Sequence, residues 1–492
     1  MAELPYRIVV GLEVHVQLLT RTKLFCGCST AFGAAPNTQT CPVCLGLPGV
    51  MPVLNRKAFD LSLRAALALN CTIARFTKWD RKNYYYPDLP KNYQISQYDL
   101  PLATEGWLEI KTEAGPRKIG IIRAHLEEDA GKMLHDEEGT GKDSLVDLNR
   151  TGTPLLEIVS KPELTSPEEA RHYLEEMRLL MRELGVSDCE MQEGSLRCDA
   201  NVNIHVPLPG GGHAATPIVE IKNLNSFRFL EAAVRYEAQR QYEEWQRNPN
   251  YLFGKVSKAT AGWDETYGRT VFQRRKEEAA DYRYFPEPDL VPVMVDDAWL
   301  ERIRAEVGEL PSAMRARLQA QYGLSEYDVG VLMSGGRATV SYFEQATAVC
   351  HDAKSACNWI TNQVQSTLKE QGGTLETFPI AADGLGELIA KQKEMGLNKQ
   401  TAQQVYEKML ADQLGAAEAI AALGIKMVAD TGAIAEIVRK AIAANPRAVA
   451  DYKKGKAAAA NAIKGAIMRE TKGSVRADLV EQVLKEELER AE

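Results

Sequence analysis

The stretch Leu12-Glu13-Val14-His15-Val16-Gln17-Leu18 constrains the fold most. Its apolar residues fall on every even position and its polar residues on every odd one, a repeat of two that an extended strand turns into one dry and one wet face. Leu12, Val14, Val16 and Leu18 are therefore assigned to a core, and Glu13, His15 and Gln17 to a shared outer face. A carboxylate and an imidazole side by side on that face suit metal binding, proton transfer or the holding of a phosphate-bound cation. A half-exposed strand with a polar surface is the plainer alternative.

The same investment recurs. Ile119, Ile121, Arg123, His125 and Glu127 alternate along a second strand that runs into Glu128-Asp129-Ala130-Gly131-Lys132. Whether Glu127 or Glu128 shares the space of Glu13 depends on where this strand bends, and the pattern leaves that open. Arg197, Asp199, Asn201, Asn203 and His205 alternate along a third strand, Glu220 and Lys222 along a fourth, and Glu157 sits among apolar neighbours in a shorter one. Several strands that spend their polar face on acids, His, Arg and Lys favour a site over a plain surface. Carboxylate oxygens are hard ligands, and they point to Mg²⁺, which keeps several waters and is shared with substrate phosphates.

A second signal is local. Cys26 and Cys28 are followed, twelve residues on, by Cys41 and Cys44. Two close thiol pairs on separate turns converge on a tetrahedral Zn²⁺, and four thiolates leave no open coordination position, so a structural role is expected. The chain has nine cysteines, an odd number, which with this pattern fits a reducing compartment better than a disulfide framework. The N-terminus shows no basic and apolar leader pattern, and no apolar run approaches the ~18 residues of a membrane span, so a cytoplasmic protein is expected.

At 492 residues the chain exceeds one ordinary core. A helix is predicted over 58–70, and another starts at Ser166-Pro167, with Ser as cap and Pro in the first turn, and ends at Gly185. Residues 80–97 interleave tyrosines with Lys82 and Lys91 between prolines, forming a loop able to stack a base or contact phosphate, or simply one tied down by its rings. Gly139-Thr140-Gly141-Lys142 imitates a phosphate loop, but Asp136 and Asp143 stand where Gly and Ser or Thr are needed, so it is read as a turn between strands. Residues 270–288 close the strand-rich part, and helical spacing takes over near 295. The final helix is predicted over 477–492.

The net charge of −8 argues against a surface wholly given to nucleic acid. Between 447 and 476, however, Arg447, Lys453, Lys454, Lys456, Lys464, Arg469, Lys472 and Arg476 face only Asp451 and Glu470. Glycines at 455, 465 and 473 beside these cations favour close approach to an RNA backbone.

With these residues in hand, the chain resembles the B-subunit family of the glutamyl- and aspartyl-tRNA amidotransferases. The matching stretches are 10–16, the two thiol pairs, 80–88, His125 to Lys132, Glu193 to Asn201, Lys222 to Ser226 and Asp281 to Asp289. The resemblance implies an α+β fold: a β-rich, cradle-like catalytic domain over 1–295 with a zinc-binding insert at 26–44, an all-helical domain over 296–410, and a small helical tail over 411–492 that binds tRNA. It implies an ATP-dependent ligase of protein biosynthesis. The side-chain carboxylate of Glu on tRNA(Gln) or Asp on tRNA(Asn) is phosphorylated, and ammonia displaces the phosphate.

By matching position, Glu13, His15, Glu128, Asp199 and Glu220 are the implied catalytic and magnesium shell, with Glu127 and Glu157 as weaker candidates. His15 is left between ligand and proton carrier. Lys132, Arg197, Lys222 and Arg283 are implied phosphate contacts, Cys26, Cys28, Cys41 and Cys44 the zinc ligands, and Lys453, Lys454, Lys456, Lys464, Arg469 and Lys472 the tRNA contacts. The chain lacks a recognisable glutaminase signature, so the implied partners are the amidase, or A, chain and the small C chain of a heterotrimer. Two alternatives stand beside this: a non-catalytic tRNA-binding and assembly component, and an unrelated zinc- and magnesium-dependent ligase of a small acid.

Overall fold

The alternation at residues 12–18 becomes a central strand of a ten-stranded sheet. The computed structural model describes residues 4–135, 144–275, 282–425, 431–453, 458–471, 475 and 477–490. The main strands in chain order are β1 Arg7–Gln17, β2 Ala103–Thr112, β3 Gly115–Glu128, β4 Pro154–Ser160, β5 Leu196–Pro207, β6 Val219–Lys222, β7 Ala259–Asp264 and β8 Arg269–Arg275. In space they run β8-β7-β6-β5-β1-β4-β3-β2, with Thr72–Ile73 beyond β2 and His213–Ala215 paired to β5. Every pairing among these eight is antiparallel except β6 with β7, which a helix connects.

One face of the sheet is dry. Val10, Leu12, Val14 and Val16 of β1 are fully buried, as are Leu156 and Ile158 of β4 and Ala200, Val202 and Ile204 of β5. They share a core with Tyr173, Leu174 and Met177 of α2 (Pro167–Glu183) and Leu230, Ala233 and Val234 of α3 (Phe227–Arg247). Ser166 caps α2 by accepting from the Glu169 amide at 3.1 Å, Pro167 takes the first position, and Gly185 turns the chain out at φ +62°. The earlier helix, α1, runs Arg56–Ala68. The helical expectations over 58–70 and 166–185 hold.

The alternation in β3 does not run straight through. Its register with β4 slips by one between Val159 and Ser160, and in β2 the opposing Glu105 takes a left-handed φ of +52°. Each strand thus carries one extra residue at the same level, Ile122 in β3 and Glu105 in β2. Consequently Ile119 and Ile121 enter the core while Arg123, His125 and Glu127 line the opposite face. The expectation that all five share one side is corrected by this bulge.

A small sheet of Asp80–Asn83, Tyr93–Ser96 and Arg283–Pro286 stands beside the polar face. Lys132–His135 and Ser144–Asp147 pair as a hairpin; the phosphate-loop lookalike between them lies outside the described residues. Two compact units divide the chain, 1–312 and 313–492. Helices dominate the second, including Gly336–Cys350, Ala382–Met395 and Lys399–Asp412. Its last four helices, Thr431–Ala444, Pro446–Lys453, Ala459–Glu470 and Ala477–Arg490, build their own core on Ile434, Val438, Ile463, Ile467, Val480 and Leu484. The α+β class is therefore as expected, with strands and helices segregated along the chain. Among the described residues no helix is long and apolar enough to cross a membrane.

Candidate active site

The wet face of the sheet forms the floor of a cleft of about 680 Å³, and the small sheet supplies one wall. Cross-strand register dictates which side chains meet there. Glu157 of β4 sits opposite both His125 of β3 and His15 of β1, and His15 in turn sits opposite Arg197 of β5. One row over, Glu13 faces Asp199, and next to it Asn201 faces Glu220.

Three charge clusters result. In the first, Glu157 Oε2 lies 3.4 Å from His15 Nε2 and 3.5 Å from His125 Nε2, while Glu127 Oε2 lies 3.7 Å from His125 Nε2 and 3.7 Å from Lys82 Nζ. Ser96 donates to Glu127 Oε2 at 3.1 Å. Burial opposes the charge on Glu157, but His125, His15 and Lys82 outweigh it and hold the carboxyl well below its usual range. Glu127 is shifted down in the same way by Lys82 and His125 against its burial. Burial also works against protonated His15, yet the Glu157 carboxylate raises its pKa overall.

In the second cluster Lys222 Nζ reaches Asp199 Oδ2 at 2.5 Å and Glu220 Oε1 at 2.9 Å, and Asn201 donates to Glu13 Oε1 at 2.8 Å. The third holds Asp129, which accepts from Arg197 Nη2 at 2.7 Å and Gln17 Nε2 at 2.8 Å. Burial is again outweighed there, by Arg197 and Arg150, and the Asp129 carboxyl is shifted down.

The first cluster fits a divalent cation. One nitrogen of His15 and one oxygen each of Glu127 and Glu157 lie within 4.8 Å of one another, and both carboxylates are buried. His125 Nδ1, on a residue that lines the cleft, is buried without a partner among the described residues, leaving a polar atom for a ligand to satisfy. Carboxylate oxygens with one imidazole accept Mg²⁺ or Mn²⁺.

Several sequence expectations change here. Glu128 is not in the basin: strand alternation turns it to the other side of β3, where its Oε2 meets Lys91 Nζ at 2.5 Å. Glu127 and Glu157, the weaker candidates, occupy its place beside His15. Lys132 is exposed in the hairpin, away from the cleft lining, and Arg283 is exposed because its neighbours Tyr282 and Tyr284 take the inward positions. Glu13, Asp199, Glu220, Arg197 and Lys222 do line the cleft. Sequence reasoning missed Lys82, His125 and Asp129 as members of the site. Alternation signalled His125, whereas Lys82 enters through the small sheet, which no pattern ties to β3.

The thiols of Cys26, Cys28, Cys41 and Cys44 converge as expected, all within 4.8 Å of one another. The Cys41 and Cys44 sulfurs are 3.9 Å apart, close to the edge of about 3.8 Å expected for a tetrahedron with Zn–S bonds of about 2.3 Å. The Cys26 thiol, aided by Lys23, draws the Cys44 pKa down to about 4. The donor set fits zinc.

Of the tail cations, Lys453 is exposed, and Lys464 is paired with Glu481. Lys454, Lys456, Lys472 and the side chain of Arg469 lie outside the described residues.

Comparison with known proteins adds a second line. Residues 8–301 match the family model for the GatB/GatE catalytic domain, and residues 341–488 match that for the GatB domain. The B subunit of the aspartyl/glutamyl-tRNA(Asn/Gln) amidotransferase of Rhodopirellula baltica is 51% identical over 94% of this chain and 93% of its own length. Its counterpart in Moorella thermoacetica is 50% identical over 98% of this chain and all of its own.

Proposed function

The chain belongs to the GatB family of amidotransferase B subunits, and from that premise we propose that its basin activates the carboxylate of a mischarged aminoacyl-tRNA for amidation. The substrate is Glu on tRNA(Gln), Asp on tRNA(Asn) or both. A carboxylate is a poor electrophile. Transfer of the ATP γ-phosphoryl group to its oxygen releases ADP and leaves an acyl phosphate. The ammonia lone pair then forms the C–N bond as the C–O bond to phosphate breaks and nitrogen loses a proton.

His15, Glu127 and Glu157 are the residues that would hold Mg²⁺, which when bound neutralises phosphate charge. Glu13, Asp199 and Glu220 form an adjoining acidic face in which Lys222 bridges Asp199 and Glu220. Arg197, with one arm on Asp129, presents the rest of its guanidinium to a transferred phosphoryl or acceptor carboxylate. Lys82 keeps two buried carboxylates ionised. Glutamine hydrolysis is assigned to an amidase partner, and a second, smaller partner completes the heterotrimer. Within the chain, 1–295 carries the chemistry, 296–410 is a scaffold and 411–492 contacts tRNA through cations such as Lys453. A reducing cytoplasm suits the nine free thiols.

The observation that carries this reading is the meeting of His15, Glu127 and Glu157, from three strands, in one cleft. The test uses the assembled heterotrimer with ATP, Mg²⁺, glutamine and each mischarged tRNA. Glu157→Gln should stop ADP release while tRNA affinity stays; unchanged turnover would overturn the reading in favour of a chain that only binds tRNA.

A further inference from the structure

Glu127 and Glu128 are consecutive at the end of β3, yet they open into different cavities. Glu127 faces the basin, and Glu128 faces a second cavity of about 190 Å³ lined by Cys26, Cys44, Gly46 and Lys91. The wall between the two is Tyr93–Ser96, and it grips both acids. Ser96 Oγ donates to Glu127 Oε2 and the Ile95 amide to Glu128 Oε2, each at 3.1 Å, while Gln94 Nε2 donates to the Glu128 carbonyl at 2.5 Å.

From the far side Lys91 completes the grip. Its Nζ lies 2.5 Å from Glu128 Oε2, and both side chains are almost fully buried. The thiol loop closes directly over this lysine. Gly46, at φ +71°, ends the short turn that carries Cys44, and a Cβ there would overlap Lys91 Cγ. Behind Glu128, a Cβ at Gly152 would lie 3.5 Å from Cys44 Cβ and 3.8 Å from Glu128 Oε1. Cys44, Lys91 and Glu128 therefore form one packed stack, and its last member is covalently next to a basin acid. A buried ion pair of this kind is rigid because neither partner can leave without stranding the other's charge.

We propose that the four-thiol loop is a positioning device for the basin: it clamps Lys91, Lys91 fixes Glu128, and Glu128 sets where the Glu127 carboxylate stands. Lys91 and Glu128 are positioning residues that touch no reactant. The proposal rests on Glu127 being a cation ligand, so the test separates the two ideas.

Mn²⁺ binding to the full chain in its complex is followed by the loss of the free-ion paramagnetic resonance signal, with zinc content measured on the same samples. The part of Mn²⁺ binding abolished by Glu157→Gln defines the basin site. If the wild-type protein shows no such part, the cation reading itself fails. Lys91→Met should keep its zinc and weaken basin Mn²⁺ affinity by about 10- to 100-fold, the range for residues that orient ligands, and Lys91→Arg should recover most of it. Because a lone buried Glu128 could unfold the chain, Lys91→Met/Glu128→Gln removes both charges together and should show the same loss. If that zinc-loaded, folded double variant binds Mn²⁺ within twofold of wild type, the positioning role is overturned. Chelation of the zinc should reproduce the loss, and unchanged basin affinity in the zinc-free protein would equally overturn it.

Discussion

The thiol cluster and the basin both bring charged donors to a point, but by opposite routes. Cys26, Cys28, Cys41 and Cys44 come from one short stretch and are gathered by tight turns such as the one ending at Gly46. His15, Glu127 and Glu157 come from three strands and meet only because β1, β3 and β4 are in one register. The charge is handled differently too. Among the described residues Lys23, at 3.7 Å from Cys44 Sγ, is the protein cation held against the thiols, so the cluster is left to a metal for its remaining charge. The basin acids already have Lys82, His125 and Lys222 against them. A site built by the sheet has its donors brought together by strand register, whereas one built by a loop takes its final shape from its ligand.

The largest effect that would sharpen this contrast is Glu157→Gln. Aminoacyl-tRNA-dependent ADP formation should fall about 10³-fold, roughly 4 kcal/mol in the barrier, with zinc content unchanged in elemental analysis. Loss of zinc alongside activity would break the claim that the loop gathers its metal independently of the basin. Cys44→Ser should next remove the metal yet leave the far-UV circular dichroism of the sheet, because the core of β1, α2 and α3 does not include the loop's thiols. Collapse of the whole spectrum would show the loop to be part of the main folding unit. Lys222→Met leaves Asp199 and Glu220 without their shared cation, and kcat/KM should drop about 10- to 100-fold. Smallest are Lys132→Ala and Arg283→Ala. Both side chains are exposed and turned from the cleft, so activity should stay near wild type and stability within about 0.5 kcal/mol by denaturant titration.

Legibility follows the same divide. The thiol pairs could be read from spacing alone, since their geometry is local. The dry face of β1 and the wet one carrying Glu13, His15 and Gln17 were equally plain, and Asp199, Asn201 and Glu220 followed from the same alternation. What spacing could not supply was order among strands. Nothing in residues 80–97 says that Lys82 would be carried against Glu127, or that Lys91 would be carried against Glu128. The choice between Glu127 and Glu128 turned on backbone geometry near Ile122, invisible as composition. Family likeness placed the acids in one site without ranking them, and it put Glu128 where Glu127 stands. In the tail, charge density was legible but pairing was not, as Lys464 with Glu481 shows.

The matched extra residues in β2 and β3 carry a further consequence for how such a chain can vary in length. Deleting Ile122 alone would leave β3 a plain alternating strand against Val159 and Ser160, with Arg123, His125 and Glu127 still on the cleft face, while Glu105 would bulge with nothing opposite it. Losing both together would spare the pairing of the two strands and keep their faces, trading the bulge for a straight ladder. A paired loss is thus the change of length this level tolerates, whereas one residue gained or lost between Arg123 and Glu127, where no bulge absorbs it, would put those two side chains on opposite faces.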